Sequence, residues 1–333
     1  MERSRHIDFI KGLCILSVLI QHYAWQNGEV MRWRFSFWLG MAVPVFMMVS
    51  GYVTALSFQR KGVETLSAAC APAELLRRFL RYALPWLPVF LVEEWVLFHR
   101  GILPHIGPFV LLKDFLHGGE GPGSYYIPIA MQLVFVLPAL YLLIRKKGFR
   151  GLVLCGVLNG VYELLHWAYG MGPALYRVLM LRYLLLAGFG CYLALYPHTL
   201  RPRCHVLSFL LGLGWLVLVE FLGYLPRVLT DWSVTSVLAA LYIMPIFALA
   251  VEHGKFHFAP LDLLGKASYD IFLLQILYHS FWVEHIYALI PHRPLQLLVN
   301  ILICCAVGIA FHFIETPITR KLQCWAVSLL KSA

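Results

Sequence analysis

The sequence predicts an all-α, polytopic integral membrane bundle of about ten transmembrane helices with both termini cytoplasmic. Three observations carry this prediction. Of the 333 residues, 60% are hydrophobic and only 13% charged, whereas soluble domains carry about 25% charged residues; the mean hydropathy is +0.74. Apolar stretches recur at close to the ~20 residues a helix needs to cross a bilayer. Basic residues gather at every second connection between those stretches. The runs are continuous rather than alternating, which favours helices over a β-barrel because a helix satisfies its own backbone in lipid.

The first span is expected at 7–26. Its basic-then-apolar order is that of a secretory signal, but no small-residue cleavage site follows in "HYAWQNGEV", so it reads as a retained helix. The second, 33–58, holds Pro44, Ser50 and Gly51 at mid-membrane, where a plain kink accounts for the proline and Gly51 allows close backbone approach. The remaining spans are expected at 79–98, 124–144, 151–169, 175–196, 205–225, 233–252, 267–290 and 295–314. Residues 1–314 form the transmembrane domain, and 315–333 a short amphipathic cytoplasmic tail along the membrane surface. The longest polar connections are 60–78 inside and 99–123 outside, the latter ending in the turn-rich "HGGEGPGS". The eight cysteines form no CxxC and read as core filling.

A net charge of +10 invites a nucleic-acid partner, but its distribution argues for the bilayer instead. Arg3, Arg5 and Lys11 lie at the start, and Arg60, Lys61, Arg77, Arg78 and Arg81 between spans two and three. Arg145, Lys146, Lys147 and Arg150 follow span four, and the same alternation continues to Arg320, Lys321 and Lys331. The positive-inside rule places these connections in the cytoplasm, which requires an even number of spans.

Polar residues inside spans point to function, because each is costly to keep there. Lys11 and His22 stand eleven residues apart on the first helix. At about 100° per residue they share one face, ~16 Å apart along the axis, so one ligand can run between them. His22, flanked by Tyr23 and Trp25, reads most simply as an interfacial histidine, and with a carboxylate at its depth as a general base. Glu93 and Glu94 are the candidate orienting carboxylates, or else snorkel at the end of span three. Asp8, Lys11, Asp270, His312 and Glu315 sort to the inner half, and Tyr126, Glu163, His166, Arg177 and Arg182 to the outer half. Glu163 with His166 and His312 with Glu315 have metal-ligand spacing but lie at opposite ends of the membrane, so no metal site is expected.

Four pieces of the chain together resemble the acyltransferase-3 family of membrane acyltransferases. "RHIDFIKGLCILSVLIQH" is similar to the family's opening helix with its basic residue and His, and "VPVFMMVSGYV" to its VPxFFxxSGY signature. "GKASYDIFLLQ" is similar to a late G-x-x-SYxIYLxH segment, and "FHFIETPITRK" to a closing aromatic-x-x-Glu-x-Pro. Lys11 stands where Arg is usual, Gln275 where His is usual with His279 a turn later, and Gln132 where many relatives carry Glu. The Gln132 version resembles members acting in export or modification of adhesive amino-sugar polymers.

The resemblance implies transfer of an acyl group, most often acetyl from acetyl-CoA, onto a hydroxyl of a cell-surface or lipid-linked glycan. It implies a bacterial inner-membrane location, acyl-CoA as a donor substrate with no permanently bound cofactor, and roles for Lys11, His22, Arg182 and Glu315; with the carboxylates read from depth, the candidate catalytic group is His22 with Glu93 and Glu94. The substrate- and donor-binding set would be Asp8, Lys11, Ser50, Tyr126, Gln132, Arg182, Ser268, Tyr269 and Glu315. Bilayer, acyl-CoA and glycan are the expected partners, nucleic acid is not, and no oligomeric state follows. A transporter of glycan or lipid-linked sugar ranks second and a non-catalytic scaffold third. No Gly-x-Ser-x-Gly elbow is present for a second transfer.

Overall fold

The computed structural model describes residues 5–103, 105, 107–222 and 236–332. Arg3 and the ends of two expected spans, 223–225 and 233–235, lie outside the described residues. The described residues are helical, with no strand among them. Each of the ten apolar stretches is occupied by a helix: α1 (Arg5–Gln21), α2 (Ala42–Arg60), α3 (Pro72–His99), α4 (Tyr126–Lys147), α5 (Phe149–Tyr169), α6 (Leu184–Leu195), α7 (Pro202–Glu220), α8 (Val237–His253), α9 (Ser268–Phe281) and α10 (Arg293–Ser332).

Among the described residues, five helical stretches are long and apolar enough to cross a membrane: Phe35–Arg60, Tyr126–Lys147, Phe149–Tyr169, Pro202–Glu220 and Arg293–Leu330. Large apolar side chains such as Leu91, Trp95, Phe135, Val157 and Leu164 remain exposed on the outside of the bundle. Such an apolar exterior suits lipid, and the chain is a multi-pass membrane protein.

Local chemistry sets the helix ends. Pro72 and Pro202 start α3 and α7, where a missing N–H costs nothing. The Ser236 hydroxyl accepts from the Ala239 N–H to cap α8. Gly148, at φ 54°, alone joins α4 to α5. The first helix stops earlier than expected because Trp25 folds back and its indole N–H donates to Ile20 O at 2.7 Å.

Two expected spans are broken. Residues 175–196 divide into the helix Pro173–Val178, the 3-10 turn Met180–Tyr183 and α6. The Gln132 side chain bridges that break, donating to Val178 O at 2.7 Å and accepting from the Met180 N–H at 3.1 Å. It supplies the partners that the interrupted helix cannot, and this makes irregular backbone tolerable at depth. Residues 267–290 divide into α9 and Val283–Leu289, preceded by the helix Ala259–Lys266.

α6 is buried from Leu184 to Ala194 and packs most extensively on α2. Lipid gives little hydrophobic drive between helices, so close packing must hold them. A Cβ at Gly51 would lie 2.0 Å from Ala187 O, and one at Gly190 only 1.9 Å from Met48 O. Gly51 thus lets the α2 and α6 backbones touch, and a leucine there would force them apart. α10 runs unbroken for 40 residues, or ~60 Å at 1.5 Å per residue, about twice the hydrocarbon core. The segment after Glu315 continues this helix and is tied to the start of α3 by Gln323 Nε2 donating to Arg77 O at 3.1 Å.

Candidate active site

Lys11 and His22 line one cavity of about 370 Å³. Ser50 of α2, Tyr126 of α4, and Ser268 and Tyr269 at the start of α9 share its wall. Lys11 is set by an ion pair with Asp8, Nζ to Oδ1 at 3.6 Å. Against this stretch of α1 presses the helix Ala259–Lys266, so closely that a Cβ on Gly265 would lie 1.8 Å from Asp8 O. That contact brings Lys266 and Ser268 to the cavity. Ser50 Oγ donates back to Phe46 O at 2.8 Å, Tyr269 donates to Tyr82 O at 3.0 Å, and the Tyr126 ring meets Phe272 edge-on at 5.2 Å.

His22 is oriented by Gln275 rather than by either glutamate. Its Nδ1 stands 2.8 Å from Gln275 Oε1, while Gln275 Nε2 donates to Pro122 O at 3.0 Å. A proline carbonyl only accepts, so the amide must point its NH2 there and its oxygen at the imidazole. The network therefore assigns the proton to Nδ1 and leaves the lone pair on Nε2. That edge of the ring lies against Gly123 at φ 82°, where a Cβ would approach Cε1 to 2.8 Å and Nε2 to 3.3 Å. His279 meets His22 edge-on, ring centroids 6.3 Å apart.

Glu93 holds the loop instead. Its Oε1 accepts from the Gly121 and Glu120 N–H groups at 2.9 and 3.3 Å, and a Cβ at Gly119 would lie 2.1 Å from Oε2. Glu93 thus reaches His22 only through residues 119–123. Glu94 is buried, and both its carboxylate oxygens are without a hydrogen-bond partner among the described residues. Four members of the expected binding set are outside this cavity's wall: Asp8 pairs with Lys11, Glu315 lines the second cavity, and Gln132 and Arg182 line neither. Gln132 clamps the break before α6, and the buried Arg182 guanidinium stacks over Tyr176 and Tyr183 at 5.0 and 4.7 Å. Glu163 accepts from Val237 N at 2.8 Å and Asn159 Nδ2 at 3.0 Å, a structural seat.

A second cavity of about 600 Å³ shares Arg81, Tyr82, Lys266 and Tyr269 with the first, so the two adjoin. Its wall adds Lys61, Arg77, Arg78 and Arg320. Glu74 organises three of these, with Lys61 at 2.9 Å, Arg77 at 2.6 Å and Arg78 at 3.1 Å. Partial burial pushes the Glu74 carboxyl up, but the Lys61 hydrogen bond and the neighbouring cations more than offset it and hold its pKa below the ordinary value. Glu315 also lines this cavity, with His312 and with Asp270 of α9. Sequence spacing paired His312 with Glu315; the fold adds Asp270, whose Oδ2 stands 2.6 Å from His312 Nδ1.

Arg81, Tyr82 and Lys266 line both cavities, and apolar patterning alone assigns them no such place. The family resemblance marks Gln275 as a departure, whereas Gln275 is the partner of His22. The motif "GKASYD" was the available signal for Lys266, and the polar Gln275 in an apolar helix for the other.

No curated protein and no solved structure matches this chain. Residues 5–314 match the family model described as an acyltransferase domain, and with nearly the whole chain covered the protein belongs to the acyltransferase-3 family.

Proposed function

We propose that this protein transfers an acyl group, most often acetyl, from acyl-CoA on the cytoplasmic side to a hydroxyl of a glycan or lipid-linked sugar. The observation that carries the reading is the pair of adjoining cavities, one rich in basic side chains and one containing the oriented imidazole. Lys61, Arg77, Arg78, Arg81, Lys266 and Arg320 suit the phosphates of coenzyme A, as charge-assisted donors. All six lie in, or within a few residues of, segments that the positive-inside rule assigns to the cytoplasm. That placement agrees with ten crossings and cytoplasmic termini; the bacterial inner membrane is proposed from the family alone.

The acylated arm would pass Tyr82 and Tyr269 into the upper cavity and lie along the Lys11–His22 face. The His22 Nε2 lone pair takes the proton of the acceptor hydroxyl as its oxygen attacks the thioester carbonyl. The tetrahedral intermediate collapses with loss of the coenzyme thiolate, which the imidazolium reprotonates. Gln275 keeps the Nδ1 proton in place throughout, and Lys11 lies where positive charge favours an oxyanion or a phosphate. A route through an acyl-imidazole uses the same nitrogen.

The test is acyl analysis of surface glycan from cells with and without the protein, and with His22→Ala at matched protein level. Acyl groups present only with the wild-type protein support transfer. Unchanged acylation together with lost glycan export on deletion would favour a transporter.

A further inference from the structure

We propose that Asp270, His312 and Glu315 form a divalent-cation site in the wall of the basic cavity. One donor atom from each of the three lies within 4.8 Å of the others. They come from two packed helices, Asp270 from α9 and the i,i+3 pair from α10, so the cluster exists only in the assembled bundle.

Three features point to an ion rather than to a closed hydrogen-bond network. Asp270 is 4% exposed, and its Oδ1 has no hydrogen-bond partner among the described residues. A buried carboxylate oxygen in that state is destabilising unless something positive meets it. Its other oxygen is held to the cluster by His312 Nδ1 at 2.6 Å, a hydrogen bond that an ion between the two would replace. Glu315 is held from behind: Thr316 Oγ1 donates to Oε1 at 2.9 Å and Thr319 Oγ1 to Oε2 at 2.8 Å. Hydroxyls in that position fix a ligating carboxylate, as supporting groups do around metal ions.

The open side of the cluster faces the 600 Å³ cavity, which leaves room for water at the remaining coordination positions. Lys61, Arg77, Arg78, Arg81, Lys266 and Arg320 line the same cavity, but among the described residues none of them forms an ion pair with Asp270 or Glu315. One imidazole with two carboxylates suits an ion of borderline hardness, Mn²⁺ or Zn²⁺, better than the softest or hardest alternatives. Binding displaces the proton shared by His312 Nδ1 and Asp270 Oδ2 into solvent.

The experiment uses full-length protein in detergent or nanodiscs, stripped with chelator and titrated with Mn²⁺ alone, free Mn²⁺ being read by its electron paramagnetic resonance signal. No coenzyme is present, so the result does not depend on the acyl-transfer reading. One equivalent bound by wild type is expected, weakened at least tenfold in Asp270→Asn and in Glu315→Gln, displaced by Zn²⁺, and unchanged in His22→Ala. Absence of a stoichiometric site in the wild-type protein overturns the proposal, whatever the variants do. Wild-type affinity in folded Asp270→Asn/Glu315→Gln, checked by gel filtration, overturns it as well.

Discussion

His22 Nδ1 and Gln275 Oε1 stand 2.8 Å apart, and the Pro122 carbonyl on the far side of the amide decides which way that hydrogen bond runs. The base nitrogen is therefore selected by a residue 253 positions away in the chain. Gln275→Leu removes the acceptor and frees the imidazole to adopt either tautomer. It is expected to lower kcat by about 10–100-fold, the usual effect of losing a group that orients a functional histidine, with little change in donor KM. Gln275→His, which restores an acceptor at Nδ1, should retain more turnover. Equal kcat in wild type and Gln275→Leu would remove the orienting role.

His22→Ala should abolish acyl transfer without loss of membrane insertion or protein level. Among the described residues His22 is the one imidazole lining that cavity, and His279 is its edge-on neighbour. Acyl content and protein amount are to be measured in the same cells. Normal acylation in the variant would return His22 to an interfacial role.

The Lys11–His22 face is legible in the sequence because His22 directly follows α1 and its N–H still bonds to Val18 O at 3.0 Å, so 100° steps carry as far as His22. Arg182 shows where that arithmetic stops. It follows the break at Leu179, so its direction is set by the 3-10 turn and by Tyr176 and Tyr183, not by helical phase. Gln132 enters the binding set through the family resemblance, at a position where many relatives carry Glu. It serves backbone groups whose exposure depends on that same break, and apolar patterning carries no trace of it. Glu93 was placed at the depth of His22 from span length alone, but whether its carboxylate meets a side chain or a loop backbone depends on how residues 118–123 fold back. The positions of the ten helices were readable from apolar run length; their interruptions arise from tertiary contacts.

Glu93→Ala tests the loop's part in catalysis. The variant loses two backbone hydrogen bonds to Gly121 and Glu120, about 1–3 kcal/mol of local restraint. Gly123 then no longer holds the Nε2 edge of His22, and a displacement of ~1 Å can cost ~10²-fold in rate. Reduced turnover with faster amide exchange at residues 118–123 is expected, while the global melting temperature holds. Undiminished turnover would confine Glu93 to packing.

Glu74 gives a pH dependence of known sign. Its folded pKa is depressed, so its contribution to stability is present above the unfolded value of about 4.3. That contribution is lost as pH falls through the lower folded value. Melting temperatures between pH 6 and 3 should fall more steeply for wild type than for Glu74→Gln, and the two curves should converge at the acid end. Parallel curves would mean that the contacts with Lys61, Arg77 and Arg78 add nothing to stability.

Lys11 separates enzyme from transporter. It lines the cavity with His22 and pairs with Asp8 at 3.6 Å, so its ammonium is fixed at the wall where a phosphate or thioester carbonyl would lie. Lys11→Ala should weaken acyl-CoA binding, and the change also leaves the buried Asp8 without its cation. Lys11→Arg keeps the charge and restores the residue usual in the family, though its planar fork is not equivalent to an ammonium; it should retain much of the affinity. Melting curves of purified wild type and both variants with acetyl-CoA, and with longer acyl-CoAs, read this directly. A donor at one hundred times its dissociation constant adds about 2.7 kcal/mol to the folded state. A shift in wild type and Lys11→Arg that is diminished in Lys11→Ala supports a donor site at Lys11. No shift with any donor, in a protein whose deletion still blocks glycan export, would make transport the better account.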